Sequence, residues 1–298
     1  MRWWALGAAI AAQCLSYVGS GILLRGIALL GHRPIRISRG MMITAAAYGV
    51  GLVAGGIVGS SAASYRWMRQ GGATPESAVL SGWLPGLLDD LLLIGLALVG
   101  VVFLLIEHSL SRAVAVGFVL VASLLIVLVM GLYWIPRNPK RFSRTARQFA
   151  QRWAGLRGLP FKPGAVNTQI ERFLHALELL FGQGWKVPVA GAGLSILFDM
   201  ASLYFIFVAA GSPVQPGVLL VGYGLPLLFG KVPLLPGGIG LVEGTMAALY
   251  GGMGVARPIT IVVVLVYRLQ SFWLPMLVGL PLIPYLERQS KGIGVGSD

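Results

Sequence analysis

The stretch KVPLLPGGIGLVEG, from Lys231 to Gly244, decides how this chain folds. It lies deep in apolar sequence, yet it contains prolines, which lack a backbone N–H, and glycines, which allow turns that other residues resist. The stretch therefore predicts a break between two half-helices instead of one continuous helix. Lipid tolerates irregular backbone only where protein or a water-filled cavity covers it, so we expect the half-helices to meet inside the protein. Glu243 then lies in the first turn after the break, where the helix dipole favours a carboxylate.

The composition around this stretch is that of a membrane protein. Hydrophobic residues make up 56% of the 298 residues, charged residues only 11%, and the mean hydropathy is +0.81. Long apolar runs with so few charges exclude a soluble globular core and indicate an all-α polytopic membrane protein. The net charge of +13 comes from short loops between the apolar runs, which favours contact with anionic lipid over nucleic acid. The single cysteine, Cys14, allows no intramolecular disulfide.

The apolar runs predict about five to eight membrane segments, counted by the ~20 residues that a straight span needs. The run 41–63 is rich in glycine, and the runs 216–232 and 237–252 are each too short for a straight span. We therefore expect two broken, re-entrant hairpins at 41–63 and 216–252. The full set of apolar segments is 3–24, 41–63, 79–106, 113–135, 187–210, 216–232, 237–252 and 258–285.

The positions of Lys and Arg test the topology, because cytoplasmic loops carry an excess of both. If each hairpin dips into the membrane and returns, five crossings remain, with the N-terminus outside and the C-terminus inside. Most of the 23 Lys and Arg residues then face the cytoplasm, and only Arg2, Arg112 and Arg257 face the other side. Two hairpins that enter from opposite faces indicate an inverted repeat, with the functional site where they meet. Full crossing by the hairpin arms is the alternative.

We expect a single integral membrane domain over residues 1–298. In its basic connection, cations interleave with Phe142, Phe149 and Trp153, a spacing that suits an amphipathic helix on an anionic leaflet. The alternative is a positive-inside loop with no further task. The parts of the domain are a first half at 1–135, the basic cytoplasmic connection at 136–186, a second half at 187–285 and a short cytoplasmic tail at 286–298.

Charged residues inside the apolar segments are the candidates for a site, because an unpaired charge there is expensive and usually faces a partner or a polar cavity. One interpretation is structural, with each acid neutralising a buried cation and holding two helices together. The other is a polar site, in which we expect Glu243 and Arg268 to line one site and to pair across it. The acids are Asp89, Asp90, Asp199 and Glu243, and the cations are Lys231, Arg268 and Arg66.

The sequence carries no set of residues for soluble catalysis or metal binding. The histidines His32, His108 and His175 are scattered without metal-ligand spacing. There is no Cys/His cluster, nucleophile elbow or phosphate-binding loop. We therefore predict no catalytic residue, no metal and no cofactor.

Three motifs resemble those of one membrane family. PGGIGLVEG, within the opening stretch, is similar to the P-x-PGG-x-G-x-x-E signature of the lysylphosphatidylglycerol synthase transmembrane region and its flippase-like relatives. YRLQSFWLP, from Tyr267 to Pro275, resembles the late Tyr-Arg helix of that family. SILFDMASLYFIFVAAG, from Ser195 to Gly211, resembles its central helix, which carries an aspartate. The resemblance covers nearly the whole chain and is strongest in the second half.

The first half departs from the family pattern. GGIVGSSAASYR, at 55–66, matches its glycine and its arginine at Gly59 and Arg66 but lacks its glutamate. PGLLDD, at 85–90, lacks the Glu-Arg expected before the later aspartate. The role of those missing residues is either absent here or has moved to Asp90.

The resemblance implies a flippase-like protein that binds a phospholipid or isoprenoid-type lipid and moves it across a bacterial-type inner (plasma) membrane. Its partners would be membrane lipids, anionic ones above all, and not nucleic acid. Arg268, Lys231 and the half-helix N-termini would offset the charge of a phosphate, and the carboxylates would suit an amine or carry coupling protons. The expected substrate-binding residues are Glu243, Arg268, Asp199, Lys231, Asp89, Asp90, Arg66, Gly237 and Gly238.

Two other functions stay open at this point. One is a proton-coupled transporter of a small solute, and the other is a membrane part associated with aminoacyl-phospholipid synthesis. In the resembled family, the members that make lysyl-lipid carry a large soluble synthase domain after the membrane part, whereas about a dozen residues follow Tyr285 here. We therefore expect this chain not to be an enzyme.

Overall fold

A computed structural model describes residues 2–53, 56–106, 137–156, 163–179, 184–231 and 236–291, with residue 182 and a few positions between 123 and 135. Every regular element in these ranges is helical, which confirms the all-α prediction. A 3₁₀ turn occupies Pro236–Gly238, and a π-helical turn occupies Leu269–Trp273. The helices are α1 (Trp3–Leu30), α2 (Ile37–Val53), α3 (Ile57–Gln70), α4 (Pro75–Ile106), α5 (Pro139–Leu156), α6 (Pro163–Leu179), α7 (Lys186–Ala209), α8 (Pro216–Phe229), α9 (Leu241–Gly252), α10 (Arg257–Arg268) and α11 (Leu274–Lys291).

Four helical segments in the described ranges are long and apolar enough to cross a membrane. The last of them includes the π-helical turn, so that α10 and α11 form one span. The chain is therefore a polytopic membrane protein, as predicted. Another predicted crossing, at 113–135, lies mostly outside the described residues, as does the tail beyond Lys291. The four spans are Trp3–Leu30, Pro75–Phe103, Lys186–Ala209 and Arg257–Arg288.

The first glycine-rich run forms a helical hairpin. Helices α2 and α3 contain 17 and 14 residues, which is less than the ~20 of a straight span. The chain turns at Gly56, whose φ is +67°, and a Cβ on Gly51 would lie 3.2 Å from the Gly56 carbonyl oxygen. The two outer ends also meet, because a Cβ on Gly71 would lie 3.0 Å from Arg39 Nε. The hairpin therefore returns to the end from which it starts; residues 54 and 55 of the glycine-rich run lie outside the described residues.

The opening stretch of the sequence produces a second hairpin, as predicted. Helices α8 and α9 contain 14 and 12 residues. Near their outer ends, the Tyr250 hydroxyl donates to the Leu219 carbonyl oxygen at 3.5 Å. Near the break, Gly238 lies against Gly230, and a Cβ on Gly238 would be 2.6 Å from the Gly230 Cα. Residues 232–235, which include one proline of the opening stretch, Pro233, lie outside the described residues.

The two hairpins start at opposite ends of the bundle, because α1 and α7 run antiparallel. At one end, the Arg2 N–H donates to the Ala209 carbonyl oxygen at 3.1 Å, and α8 starts just beyond. At the other end, Gly31 lies against Thr74 at the start of α4, and the basic loops 31–39 and 66–74 meet. We call the second of these the basic end. Equivalent helices that run antiparallel are what the predicted inverted repeat requires.

Each hairpin packs against a described span of the other half. Gly279 on α11 sits on the α2 backbone, where its Cβ would lie 2.1 Å from the Ala45 carbonyl oxygen. Gly224 on α8 sits on α4 in the same way, with a Cβ position 2.9 Å from the Leu93 carbonyl oxygen. Small residues allow such close backbone contact in membranes, where dispersion forces replace the hydrophobic effect. This exchange of partners joins the two halves into one body.

The basic connection rests on the basic end of this body. Phe142 on α5 stacks on Phe173 on α6 at 5.5 Å between ring centroids, and Phe173 lies 5.0 Å from Trp83 on α4. The helical prediction is thus confirmed for the connection. Its boundaries as a separate part of the domain stay a prediction.

Candidate functional site

The pair between Glu243 and Arg268 forms the centre of the candidate site. Arg268 Nε donates to Glu243 Oε1 at 2.6 Å, as the sequence led us to expect. The Arg268 side chain is 6% exposed and the Glu243 side chain 20% exposed, so the pair is largely shielded from solvent. Both side chains come from the second half, one from each side of the short connection 253–256.

The local sequence fixes both members of this pair. Glu243 also accepts a hydrogen bond from the Gly240 N–H at 2.6 Å, which caps α9. Arg268 is the last residue of α10, and its Nη2 donates to the Gly237 carbonyl oxygen at 3.1 Å. The guanidinium carbon lies 4.2 Å from the centre of the Phe272 ring, within the π-helical turn. The break and the π turn thus hold one ion pair from two sides.

A second ion pair joins the second hairpin to the first half. Lys231 Nζ, one residue after the Gly230 C-cap of α8, contacts Asp90 Oδ1 on α4. The two side chains are 36% and 37% exposed. Asp90 lies about 23 Å along α4 from its start, at ~1.5 Å per residue, which is midway along the span. This pair is therefore partly open at mid-span.

Asp199 is held by neutral donors and not by a cation. Gln13 Nε2 on α1 donates to its Oδ1 at 2.8 Å. The hydroxyls of Tyr223 on α8 and Tyr267 on α10 donate to its Oδ2 at 2.8 and 2.6 Å. In the described part of the chain, no Lys or Arg nitrogen lies within 4.0 Å of this carboxylate. Four helices from both halves therefore meet at one partly buried carboxylate.

The sequence analysis missed the neutral partners of these charges. Gln13 was detectable as a polar side chain inside an otherwise apolar span, whereas Tyr223 and Tyr267 read as ordinary aromatic residues. Tyr48, on α2 of the first hairpin, lies within electrostatic range of Asp89, Asp199 and Arg268. Contacts between α2 and the Pro236–Gly238 turn bring the first hairpin to the same centre.

The remaining predicted residues divide into near and distant ones. Asp89 lies within electrostatic range of Lys231, Asp90 and Asp199, so it belongs to the centre. Gly237 supplies a carbonyl to Arg268, and Gly238 allows close contact with Gly230; both have positive φ values. Arg66 is instead at the basic end, where its Nη1 lies 3.1 Å from Glu287 Oε1, with both side chains about half exposed. The structure thus brings eight of the nine predicted residues together and leaves Arg66 apart.

We call the near residues the central cluster: Asp89, Asp90, Asp199, Lys231, Glu243 and Arg268. It contains four carboxylates and two cations, although the whole chain has a net charge of +13. The described residues contain no group of His, Cys, Asp and Glu that could hold a metal ion. The cluster can therefore offer both cations and carboxylates to a polar ligand inside an apolar protein.

The fold and the site together define an all-α polytopic membrane protein. Two hairpins enter it from opposite ends, and a charged cluster lies where they meet. Comparison with known families places the chain further. It belongs to the family described as the lysylphosphatidylglycerol synthase TM region, whose model matches residues 1–279.

Curated relatives are archaeal membrane proteins of the UPF0104 group. One from Methanothermobacter thermautotrophicus is 27% identical over 246 residues, which cover 76% of this chain and 68% of that protein. One from Pyrococcus horikoshii is 32% identical over 81 residues, which cover 27% of this chain and 24% of the relative. A further protein from M. thermautotrophicus is 31% identical over 107 residues, or 35% of this chain and 30% of the relative.

Proposed function

We propose that this protein binds a membrane lipid at the central cluster and moves its head group across the membrane. The observation that carries the proposal is the Lys231–Asp90 pair, which is more than a third exposed although Asp90 lies midway along a spanning helix. A charged pair in that position needs water or a polar ligand beside it, because hydrocarbon does not solvate ions. A partly open polar centre lets a head group pass while its acyl tails stay in the bilayer.

The chemistry of the cluster suits a zwitterionic or phosphate-bearing head group. Lys231 and Arg268 supply cations, and the N-terminal end of α9 supplies a positive dipole end close to them. Asp89 and Asp90 supply acceptors for an amine. The hairpins that carry or contact these groups come from opposite ends, so small movements of either hairpin would open the cluster to one side at a time.

Reconstitution in liposomes tests this proposal. With a fluorescent phospholipid in both leaflets and a membrane-impermeant quencher outside, the wild-type protein should expose inner-leaflet lipid to quenching. Lys231→Gln and Asp90→Asn should abolish or strongly slow that loss of fluorescence. Lys186→Gln, which removes an exposed lysine at the start of α7, is the matched control and should behave as wild type. Quenching no faster than in protein-free liposomes would contradict the proposal.

Two rival functions have separate outcomes. Uptake of a small solute driven by a pH gradient, without lipid movement, would favour a proton-coupled solute transporter. New aminoacylated lipid in extracts of cells that overproduce the protein would make it part of an aminoacyl-lipid synthase, whereas we propose that it is not an enzyme. The same central cluster would then serve a different substrate.

We also propose an inner (plasma) membrane location and contact of α5 with anionic lipid. One polar face of α5 carries Lys140, Arg144 and Arg147, and it lies at the basic end. Native mass spectrometry of purified protein should show that the Lys140→Gln/Arg144→Gln/Arg147→Gln variant retains less phosphatidylglycerol than wild type. The control is the equally charged Arg25→Gln/Arg33→Gln/Arg36→Gln variant; equal losses in both variants would assign the effect to net charge alone.

A further inference from the structure

The Asp199 carboxylate is the strongest unexplained feature of the molecule. It lies in the middle of α7, and its hydrogen-bond donors are neutral side chains. The central cluster as a whole has two more carboxylates than cations. Ions at this depth are costly unless something offsets their charge. Part of the negative charge is therefore unbalanced by the described residues.

A second observation points to the species that offsets it. Gln13 is 7% exposed, and its amide already donates to Asp199 through Nε2. Its Oε1 is buried and has no hydrogen-bond partner within the described ranges. A buried acceptor without a partner is costly, so the Gln13 amide oxygen is available to a hydroxyl group on the adjacent Asp199.

We propose that Asp199 reversibly binds a proton, with the Gln13 amide as its acceptor. The proton comes from the aqueous phase and bonds to Asp199 Oδ1, which removes one negative charge from the cluster. Rotation of the amide by about 180° then turns Oε1 toward the new O–H, as such amides allow. Before the rotation the amide oxygen of Gln13 lacks a partner, and after it the amide nitrogen lacks one. The number of hydrogen bonds is therefore unchanged, and the loss of one negative charge is what favours protonation. The claim that proton binding at Asp199 is coupled to transport rests on the proposed function. The claim that Asp199 binds a proton does not.

The geometry favours a proton over a metal ion. Three donors at 2.6 to 2.8 Å already occupy much of the space around the two carboxylate oxygens. A hard cation such as Mg²⁺ or Ca²⁺ needs about six oxygen ligands, and Gln13 Oε1 is the only buried side-chain acceptor that we find unpaired beside Asp199 in the described part of the chain. A proton needs a single acceptor.

Three hydroxyl groups lie one helical turn from this site, on the side of the basic end. Ser195, one turn before Asp199 on α7, lies 3.3 Å from the Ser16 hydroxyl and 3.0 Å from the Ser20 hydroxyl on α1. Each hydroxyl can donate and accept at once, so a proton can be relayed between them. The α1–α7 contact therefore holds both the site and, one turn away, a group of three hydroxyls.

Other charged groups around Asp199 act in both directions. Arg268 carries a positive charge, Asp89 carries a carboxyl group, and the two tyrosines donate hydrogen bonds. The groups that face Asp199 are Tyr17 on α1, Tyr48 on α2, Asp89 on α4, Tyr223 on α8, and Tyr267 and Arg268 on α10.

Infrared spectroscopy of the purified protein during a pH titration tests the proposal. The C=O absorption of protonated carboxyl groups should grow as the pH falls, and the component that belongs to Asp199, measured as the difference between wild type and Asp199→Asn, should be missing in that variant. In Tyr267→Phe the band should persist to higher pH, because the anion has lost one hydrogen bond. In Gln13→Leu the band should shift in frequency, because its acceptor is gone. Glu178→Gln, on an exposed acid of α6, should give the wild-type titration.

Several outcomes would overturn the proposal. They are the same band in Asp199→Asn as in wild type, no such band over the pH range in which the protein stays folded, or an unchanged titration in Tyr267→Phe. The tyrosine variant keeps the test open if Asp199→Asn does not fold. A band that belongs to Asp199, together with no lipid movement in liposomes at any pH, would leave the proton site standing and refute lipid translocation. If both hold, a pH gradient should change the rate of lipid movement in wild type and not in Asp199→Asn.

Discussion

At the scale of single residues, the Glu243–Arg268 pair makes a stability prediction. Glu243→Gln or Arg268→Gln strands the opposite charge in a largely buried place, which should cost about 3–5 kcal/mol of unfolding free energy. The double variant should recover much of that loss in thermal unfolding experiments. If the double variant regains stability but does not regain lipid binding or transport, the pair serves function as well as structure.

The exposed pair Arg66–Glu287 is the matched control. Its side chains are 59% and 45% exposed, so each single substitution to Gln should change stability by only about 0–1 kcal/mol. Equal losses for both pairs would contradict the burial argument. Wild-type transport in Glu243→Gln would remove that residue from the site.

Gly238 makes a second prediction at the same scale. Its φ of +66° and the 2.6 Å between its Cβ position and the Gly230 Cα leave no room for a side chain. Gly238→Ala should therefore lower stability by at least about 1–2 kcal/mol from backbone strain alone. Gly244→Ala, six residues on and with nothing within 4 Å of its Cβ position, should be neutral or slightly stabilising in the same thermal melt. A tolerated Gly238→Ala would show that the break differs from the described geometry.

At the scale of elements, the first hairpin predicts which positions face the cytoplasm. Ser38 at the start of α2, Gln70 at the end of α3 and Ser143 on α5 all belong to segments gathered at the basic end. Cysteines at these positions, in a Cys14→Ser background, should react only with a reagent added from the cytoplasmic side. A cysteine at Ser212, beyond α7, should react only from the opposite side. Labelling of Ser38 and Ser143 from opposite sides would refute the hairpin topology.

At the scale of the whole molecule, the contact between α1 and α7 joins the two halves. A Cβ on Gly191 would lie 2.4 Å from the Leu23 backbone nitrogen, whereas Gly193 on the same helix has nothing within 4 Å of its Cβ position. Gly191→Ala should separate the helices and cost about 1–3 kcal/mol, as overpacking does. Gly193→Ala should leave the melting temperature unchanged or raise it. A larger loss of stability in Gly193→Ala than in Gly191→Ala would mean that the two halves are not joined by the α1–α7 contact.

The sequence by itself determined the class of the protein and the location of the breaks. Apolar runs, loop charges and the prolines and glycines around Gly237 depend on local chemistry, so they could be interpreted without knowing which helices touch. The pairing of Glu243 with Arg268 was also predictable, because few charges lie so deep in apolar sequence. The family followed from motifs that are contiguous in the chain.

Only the tertiary structure decided which partners the other charges have. Asp199 depends on Gln13, 186 positions away in the chain, and on two tyrosines whose hydroxyls have no sequence signal. Asp90 contacts Lys231, which is 141 positions away in the chain. Arg66 instead pairs with Glu287 at the basic end, away from the central cluster. Such contacts arise because antiparallel helices of the two halves cross at small residues, and this crossing is a property of the assembled bundle.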